Sequence, residues 1–466
     1  MFSTILILPL ILALIAWWRR SPRLNYWLVI SHAAAQLITS IYLFFHREMY
    51  PGYFETDAMG MFFFFIISIL YAAVAVHNSA FLPGASRNRH TIYTICMLLF
   101  VASMDGVVMA TNLGLSWVFI ETTTLVSAVL IYHEQTKTAL EAAWKYIFIC
   151  SIGIALAFVG IMLLFIAQPV GGSLDFFVLY RNAVRIDPFW LKLSFVFLLC
   201  GFGTKLGLAP LHFWLPDAHS EAPAPVSALL SGALLNTALV PLLRIFRLMD
   251  LTGQKEIAQT LFILMGLLSI FTGAVFISRI KNFKRILAYS SIENMGIATL
   301  AFGVGGMAVY AGFLHLLGHS LVKAATFLTA GNIYKIHHNK NYDQIQGLRQ
   351  THPVSGWLWL ICFILLAAIP PSPLFASEFM LAIALVKSGQ IWILGVLLFL
   401  LLIIVYGLGK MAIQMSLGTG RAPLKLNPAL WLPQISLLIF AALCGLYLMP
   451  FVHNLIAKAS YVVMPY

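Results

Sequence analysis

Charge is what this chain lacks most. Of its 466 residues, 9% are charged and 61% are hydrophobic. An ordinary soluble domain carries about 25% charged residues, so that class is excluded. Acidic groups are scarcest: 16 Asp and Glu stand against 28 Lys and Arg, a formal net charge of +12. That excess does not point to nucleic acid. The basic residues fall in short loops between apolar runs, where they orient helices in a bilayer. The five cysteines, Cys96, Cys150, Cys200, Cys362 and Cys444, lie in five separate apolar segments and form no CxxC. They read as packing residues, with no basis for a zinc site or an iron–sulfur cluster on this chain. No stretch has the make-up of a soluble catalytic domain. Phe2–Trp18 lacks a small-residue cleavage site before Arg19 and Arg20, so it reads as a retained first helix rather than a signal peptide.

Long apolar runs are what it has. A spanning helix needs about 20 apolar residues. About fourteen such runs stand near 2–18, 25–45, 59–82, 91–110, 113–132, 142–168, 191–208, 224–246, 258–278, 286–303, 305–333, 354–385, 391–414 and 428–456. The fold class is therefore all-α, a polytopic transmembrane bundle. The runs at 305–333 and 354–385 are long, which predicts a tilt or a break. Lys and Arg are about twice as frequent in the loops after odd-numbered runs as in the others. This puts the odd loops in the cytoplasm and both termini outside.

One stretch organises the rest: Phe195–Gly232, FVFLLCGFGTKLGLAPLHFWLPDAHSEAPAPVSALLSG. It reads as a lipid-grade helix with Lys205 in its middle, interrupted at Pro210 and Pro216. A loop with Asp217, His219 and Glu221 follows. A lysine at the bilayer centre costs about 2.5–3.5 kcal/mol on insertion scales and normally faces a partner or water. A break at that depth is tolerated only where protein or a wet cavity covers the freed backbone. The run at 354–385 is interrupted in the same way, at Pro370, Pro371 and Pro373, before Glu378. Paired broken segments predict inverted repeats with ion sites at the breaks. The expected organisation is flanking helices over 1–90, one five-helix repeat over 91–246, a second over 258–414, and a last helix within 428–466.

Glu121 lies mid-span in LGLSWVFIETTTLVSAVLIY. A carboxylate and an amine that deep are each costly alone and tolerable together. Two readings of a Glu121–Lys205 pair stand: a proton device and a static packing pair. Asp105 either faces a cavity or reaches the interface. His315, His319 and Lys323 are spaced four apart and share one helix stripe, rising about 12 Å. Histidine can accept a proton on one nitrogen and give one from the other, so the ladder reads as a proton relay. A packing role and metal or haem ligation are the alternatives; no third ligand of matching depth accompanies the histidines. Glu378 is a candidate end of the relay or an interfacial carboxylate. The D-x-H-x-E of Asp217, His219 and Glu221 reads as proton access or loop fixation rather than a metal site. RIKNFKR (279–285) reads as a cytoplasmic anchor. Glu293 and Asn294, in SSIENMG, face the bundle.

KLGLAPLHFWLPDAHSEAPAPVSALLSG resembles the antiporter-like, proton-translocating membrane subunits of respiratory complex I, Mrp sodium/proton antiporters and membrane-bound hydrogenases. NLGLSWVFIETTTL (112–125), KRILAYSSIENMG (284–296) and HLLGHSLVKAATFLTAGNI (315–333) extend the likeness over roughly 90–415. IETTTL and SSIENMG are closest to the hydrogenase-4 component F branch. The resemblance implies fourteen helices, two inverted five-helix repeats and breaks in the seventh and twelfth helices. It implies that Glu121 and Lys205 form the family's pair, that His315, His319 and Lys323 connect to it, and that Glu378 takes the terminal acidic place. Asn236 stands where many relatives have a lysine or histidine, so a link there needs water. The implied function is proton pumping within a multi-subunit redox complex in a bacterial or archaeal cytoplasmic membrane. The chain itself would carry no catalytic centre, metal or cofactor. Nickel–iron and iron–sulfur centres would sit on a peripheral redox arm, beside other membrane subunits. Transport of sodium as well as protons is the rival reading.

Overall fold

The computed structural model describes residues 2–46, 49–50, 53–55, 57–81, 86–419 and 426–464. Arg47, Arg421 and Lys425, which enter the loop-charge bias, lie outside the described residues. In chain order the helices are α1 (Phe2–Arg19), α2 (Pro22–Phe45), α3 (Ala58–Phe81), α4 (Arg87–Met109), α5 (Leu113–Ile131), α6 (Lys137–Ile166), α7 (Phe176–Arg181), α8 (Pro188–Leu206), α9 (Trp214–Glu221) and α10 (Ala224–Leu229). There follow α11 (Leu235–Leu251), α12 (Lys255–Ile277), α13 (Phe283–Val304), α14 (Met307–His337), α15 (Leu348–Thr351), α16 (Pro353–Leu366), α17 (Pro373–Lys387), α18 (Ile391–Ser416), α19 (Leu432–Leu446) and α20 (Pro450–Val463). A π-helical turn, Leu230–Leu234, joins α10 to α11. A two-residue hairpin, Met49–Tyr50 against Phe54–Glu55, precedes α3. Among the described residues, ten helices are long and apolar enough to cross a membrane.

The apolar runs become helices close to their expected limits. The run at 305–333 is unbroken: α14 has 31 residues and no proline. At 1.5 Å per residue it is about 46 Å long, more than enough to cross a ~30 Å core. The run at 354–385 does break, into α16 and α17. The run at 428–456 is bent: α19 and α20 meet at 75°.

Burial is inverted relative to a soluble protein. The apolar middles of the spans α10–α11 and α14 are wholly buried, and they carry polar groups. Peripheral α6 and α18 turn most of their apolar surface outward. Lipid hydrocarbon solvates that outer surface, while polar side chains and broken backbone retreat to the centre.

Each break satisfies its own backbone. Gly207 ends α8 in the left-handed region (φ +78°), which glycine enters without strain. Trp214 Nε1 donates to the Thr204 carbonyl (2.8 Å), and Ala209 N–H donates to Ser269 Oγ (2.9 Å). At the second break Ser372 Oγ donates to the Leu365 carbonyl (2.6 Å) and accepts from Leu374 N–H (3.2 Å). The break lies hard against α19: Gly445 leaves no room for a Cβ beside the Pro371 carbonyl oxygen. Two expectations are corrected. Lys205 is in the last turn of α8, not mid-helix, and Asp217, His219 and Glu221 ride on helix α9, not a loop.

Candidate proton-relay site

The first centre forms around Lys205. The break places its ammonium at the carbonyl end of α8, where the helix dipole favours a cation. Nζ donates to Thr124 Oγ1 on α5 (2.9 Å) and to the Tyr146 hydroxyl on α6, and lies 4.6 Å from the centre of the Tyr146 ring. Tyr146 in turn shares a 2.6 Å hydrogen bond with Ser127. Glu121 stands one turn before Thr124 on the same helix but does not bond Lys205. It accepts from Ser151 Oγ (3.4 Å), and its other oxygen is buried with no protein partner. The direct ion pair expected from the sequence is thus replaced by two neutral hydroxyls, with the carboxylate held beside them.

Between the two lysines lie further buried hydroxyls and an amide. Asn236 Nδ2 donates to Ser320 Oγ on α14 (2.7 Å), beside His319. Ser231, in the π-turn, bonds Ser291 of α13 at 2.8 Å. The turn approaches α14 so closely that a Cβ on Gly232 would lie 3.0 Å from the Ser320 carbonyl oxygen. Asn236 Oδ1, both nitrogens of His319 and His315 Nε2 are buried without protein partners. Buried polar atoms are nearly always hydrogen-bonded, so these are the places that call for water.

The second centre is the His315, His319 and Lys323 stripe of α14, fully buried. Lys323 Nζ donates to the Leu287 carbonyl of α13 (2.8 Å). His315 Nδ1 shares a 2.9 Å bond with Ser377 Oγ of α17, one residue before Glu378. Glu378 therefore adjoins the His315 end of the stripe, not the Lys323 end. It is half-buried, between the outward-facing Phe375 and Phe379. Glu293 faces the bundle as expected, accepting from Asn294 Nδ2 (2.7 Å). Asp105 is wholly buried on α4 and accepts from Gln36 Nε2 (3.0 Å).

Asp217 and Glu221 are four apart on α9 and share a face; His219 points the other way. Asp217 pairs with Lys145 (3.1 Å) and Arg285; Glu221 pairs with Lys340 (2.6 Å) and accepts from Thr138 (2.9 Å). Burial pushes the Glu221 carboxyl up, but those bonds outweigh it and hold it below the ordinary carboxylate range. His219 is buried against Phe327, ring centres 4.8 Å apart, with neither nitrogen partnered. Among the described residues no three His, Cys, Asp or Glu side chains converge as a metal site would need.

Sequence reading missed Lys284 and Arg244. Lys284 is no loop anchor: it is buried, and Nζ donates to the Ser220 and Ala222 carbonyls (3.4 and 3.1 Å) at the end of α9. Arg244 is also buried, capping α4 through the Ala110 and Val108 carbonyls. Lys284 and Glu221 line a cavity of about 470 Å³ with Glu134, Lys340, Tyr334 and Ser220.

A family model described as "NADH:quinone oxidoreductase/Mrp antiporter, TM" matches residues 110–404. The chain is 35% identical to a hydrogenase-4 component F homolog from Methylacidiphilum infernorum, over 96% of each chain. It is 28% identical to hydrogenase-4 component B from Escherichia coli, over 76% of this chain and 55% of that protein. Its fold matches a chain of the membrane-bound sulfane sulfur reductase, an archaeal respiratory membrane complex, with TM-score 0.90 over 99% of this chain and 97% of that one, at 23% identity.

Proposed function

The chain belongs to the NADH:quinone oxidoreductase/Mrp antiporter membrane family, and from that premise we propose that it moves protons within a multi-subunit redox complex of the membrane-bound nickel–iron hydrogenase kind. The hydrogenase-4 or formate hydrogenlyase type fits the component F relative. One observation carries the reading. Lys205 and Lys323 are buried at membrane depth, yet their hydrogen-bond acceptors are hydroxyls and a backbone carbonyl. An unpaired buried charge is costly, by about 3–5 kcal/mol when a partner is removed. Neutral acceptors serve an amine and an ammonium alike, so each lysine can change charge without losing its place. A static ion pair would do neither.

In the proposed sequence, redox chemistry in a peripheral arm shifts charge in a neighbouring membrane subunit. The balance between Glu121 and Lys205 changes, and Lys205 gives up its proton. The proton passes through water by Asn236 and Ser320 to His319. Lys323 refills or drains the stripe, and His315 and Ser377 hand on to Glu378. This order replaces Lys323 by His315 as the neighbour of Glu378. Glu378, opening sideways between two phenylalanines, faces where another membrane subunit would sit. The cavity beside Lys284 and Glu221 is the proposed cytoplasmic mouth. The repeats at 91–246 and 258–414, the cytoplasmic-membrane location and the outward termini belong to the same proposal. Nickel–iron and iron–sulfur centres are assigned to partners.

The test is redox-driven proton movement by the assembled complex in proteoliposomes, with and without sodium. Proton movement at unchanged rate without sodium is expected. Movement only in its presence would overturn this reading in favour of a sodium/proton antiporter.

A further inference from the structure

A second line of buried polar groups lies away from the relay, in the flanking helices. Asn25, His32, Gln36 and Ser40 occupy one face of α2 and are all buried. The spacings of seven, four and four keep them on one stripe, about 22 Å long. Each of the first three reaches another helix. Asn25 Nδ2 donates to Thr91 Oγ1 of α4 (3.3 Å), His32 Nδ1 bonds the Tyr71 hydroxyl of α3 (3.1 Å), and Gln36 Nε2 donates to Asp105 Oδ1 (3.0 Å).

The Gln36–Asp105 contact leaves one atom over on each side. Asp105 Oδ2 and Gln36 Oε1 are both buried, and neither has a hydrogen-bond partner. Both are acceptors when the carboxyl is ionised, so no arrangement of these two groups alone can satisfy them. A single proton on Oδ2 changes that. The acid then donates through Oδ2–H to the amide oxygen while Oδ1 keeps the amide N–H, a two-bond acid–amide ring. Turning the amide over does not remove the need, because its oxygen would then face Oδ1 and require the proton there.

No cation competes for the site. Among the described residues Asp105 forms no ion pair. On α2 the titratable neighbour is His32, which bonds Tyr71; on α3 it is Tyr71 itself. On α11 the Arg244 guanidinium is taken by the Ala110 and Val108 carbonyls and by Asp57 at 3.4 Å. Glu121 of α5 turns to Ser151, and Arg19 is at the last position of α1.

We propose that Asp105 and Gln36 form a proton-binding site of their own, an acid–amide pair that ties α2 to α4 while the proton is held. Loading takes one proton from water and forms the Oδ2–H bond; unloading returns it and breaks the second bond of the ring. The site does not depend on the relay from Lys205 to Glu378.

The test is infrared spectroscopy of the full-length chain in lipid nanodiscs, with thermal melts of the same samples. At neutral pH the wild type minus Asp105→Asn difference should show one carboxylic C=O band. Gln36→Leu should shift that band upward, because the acid loses its acceptor. Asparagine can make both ring bonds, so Asp105→Asn should melt with the wild type, and Asp105→Leu should melt lower. Absence of the band, a band unmoved by Gln36→Leu, or a band lost on adding sodium would overturn the proposal. So would an Asp105→Asn variant that melts as low as Asp105→Leu.

Discussion

The two broken helices solve one problem in opposite ways. At the first, the chain breaks after a lysine, so Lys205 takes the carbonyl end of α8 and two helices, α5 and α6, supply its acceptors. At the second, the chain breaks before an acid, and Glu378 lies in the second turn of α17, past the reach of that helix's dipole. It is half-buried, with exposed phenylalanines on either side of it in the helix. On the proposed reading, the first break is an interior station and the second a lateral port. The difference teaches that a proline break does not itself make an ion site. The residue beside the break, and what covers it, decide whether charge is held or passed on.

The comparison can be sharpened by experiment, beginning with the largest effect. Lys323→Ala removes an interior amine, and a lost proton-transfer group costs about 100-fold or more. Redox-driven proton flux in proteoliposomes should fall by that order while partner subunits still co-purify. Glu378→Gln should lower flux by less than Lys323→Ala, since water can reach a half-buried group and substitute for it in part. The loss should appear in the assembled complex, where the port has a neighbour. Equal effects at both sites would erase the distinction between station and port. Gly232→Ala presses on the α14 backbone that both regions share; overpacking of this kind costs about 1–3 kcal/mol, read as a lowered melting midpoint.

The smallest effect concerns the mouth. Glu221 has a carboxyl held below its ordinary range, so its pairing with Lys340 adds stability above the unfolded pKa and loses it as pH falls through the folded one. The contribution is at most about 1 kcal/mol. Melting midpoints should therefore drop on acidification below about pH 4.3, the ordinary glutamate value, and Glu221→Gln should flatten that drop.

Much of this architecture is legible in the residues. The apolar runs found the helices because lipid demands length, and the prolines at 210 and 370–373 marked both breaks, while Pro9, Pro216 and Pro241 sit within helices and marked none. The 3.6-residue period aligned His315, His319 and Lys323. The partners were not legible. Thr124 stands 81 positions from Lys205, and Ser320 stands 84 from Asn236. Such pairings are set by which helix faces which, and no local spacing encodes that. Serines and threonines are also neutral enough to pass as lipid-facing, so the network of Thr124, Ser127, Ser291 and Ser377 gave no sign of itself. Lys284 misled because a lysine in RIKNFKR looks like its exposed neighbours. α13 begins at Phe283, so its first turn carries Lys284 inward under α9.

The central claim is that buried amines, held by neutral partners, carry the proton. Its most direct test is proton flux in the assembled complex bearing Lys205→Ala, with assembly verified and electron transfer measured alongside. Electron transfer should persist or slow while coupled proton movement disappears. Full coupling in that variant would contradict it.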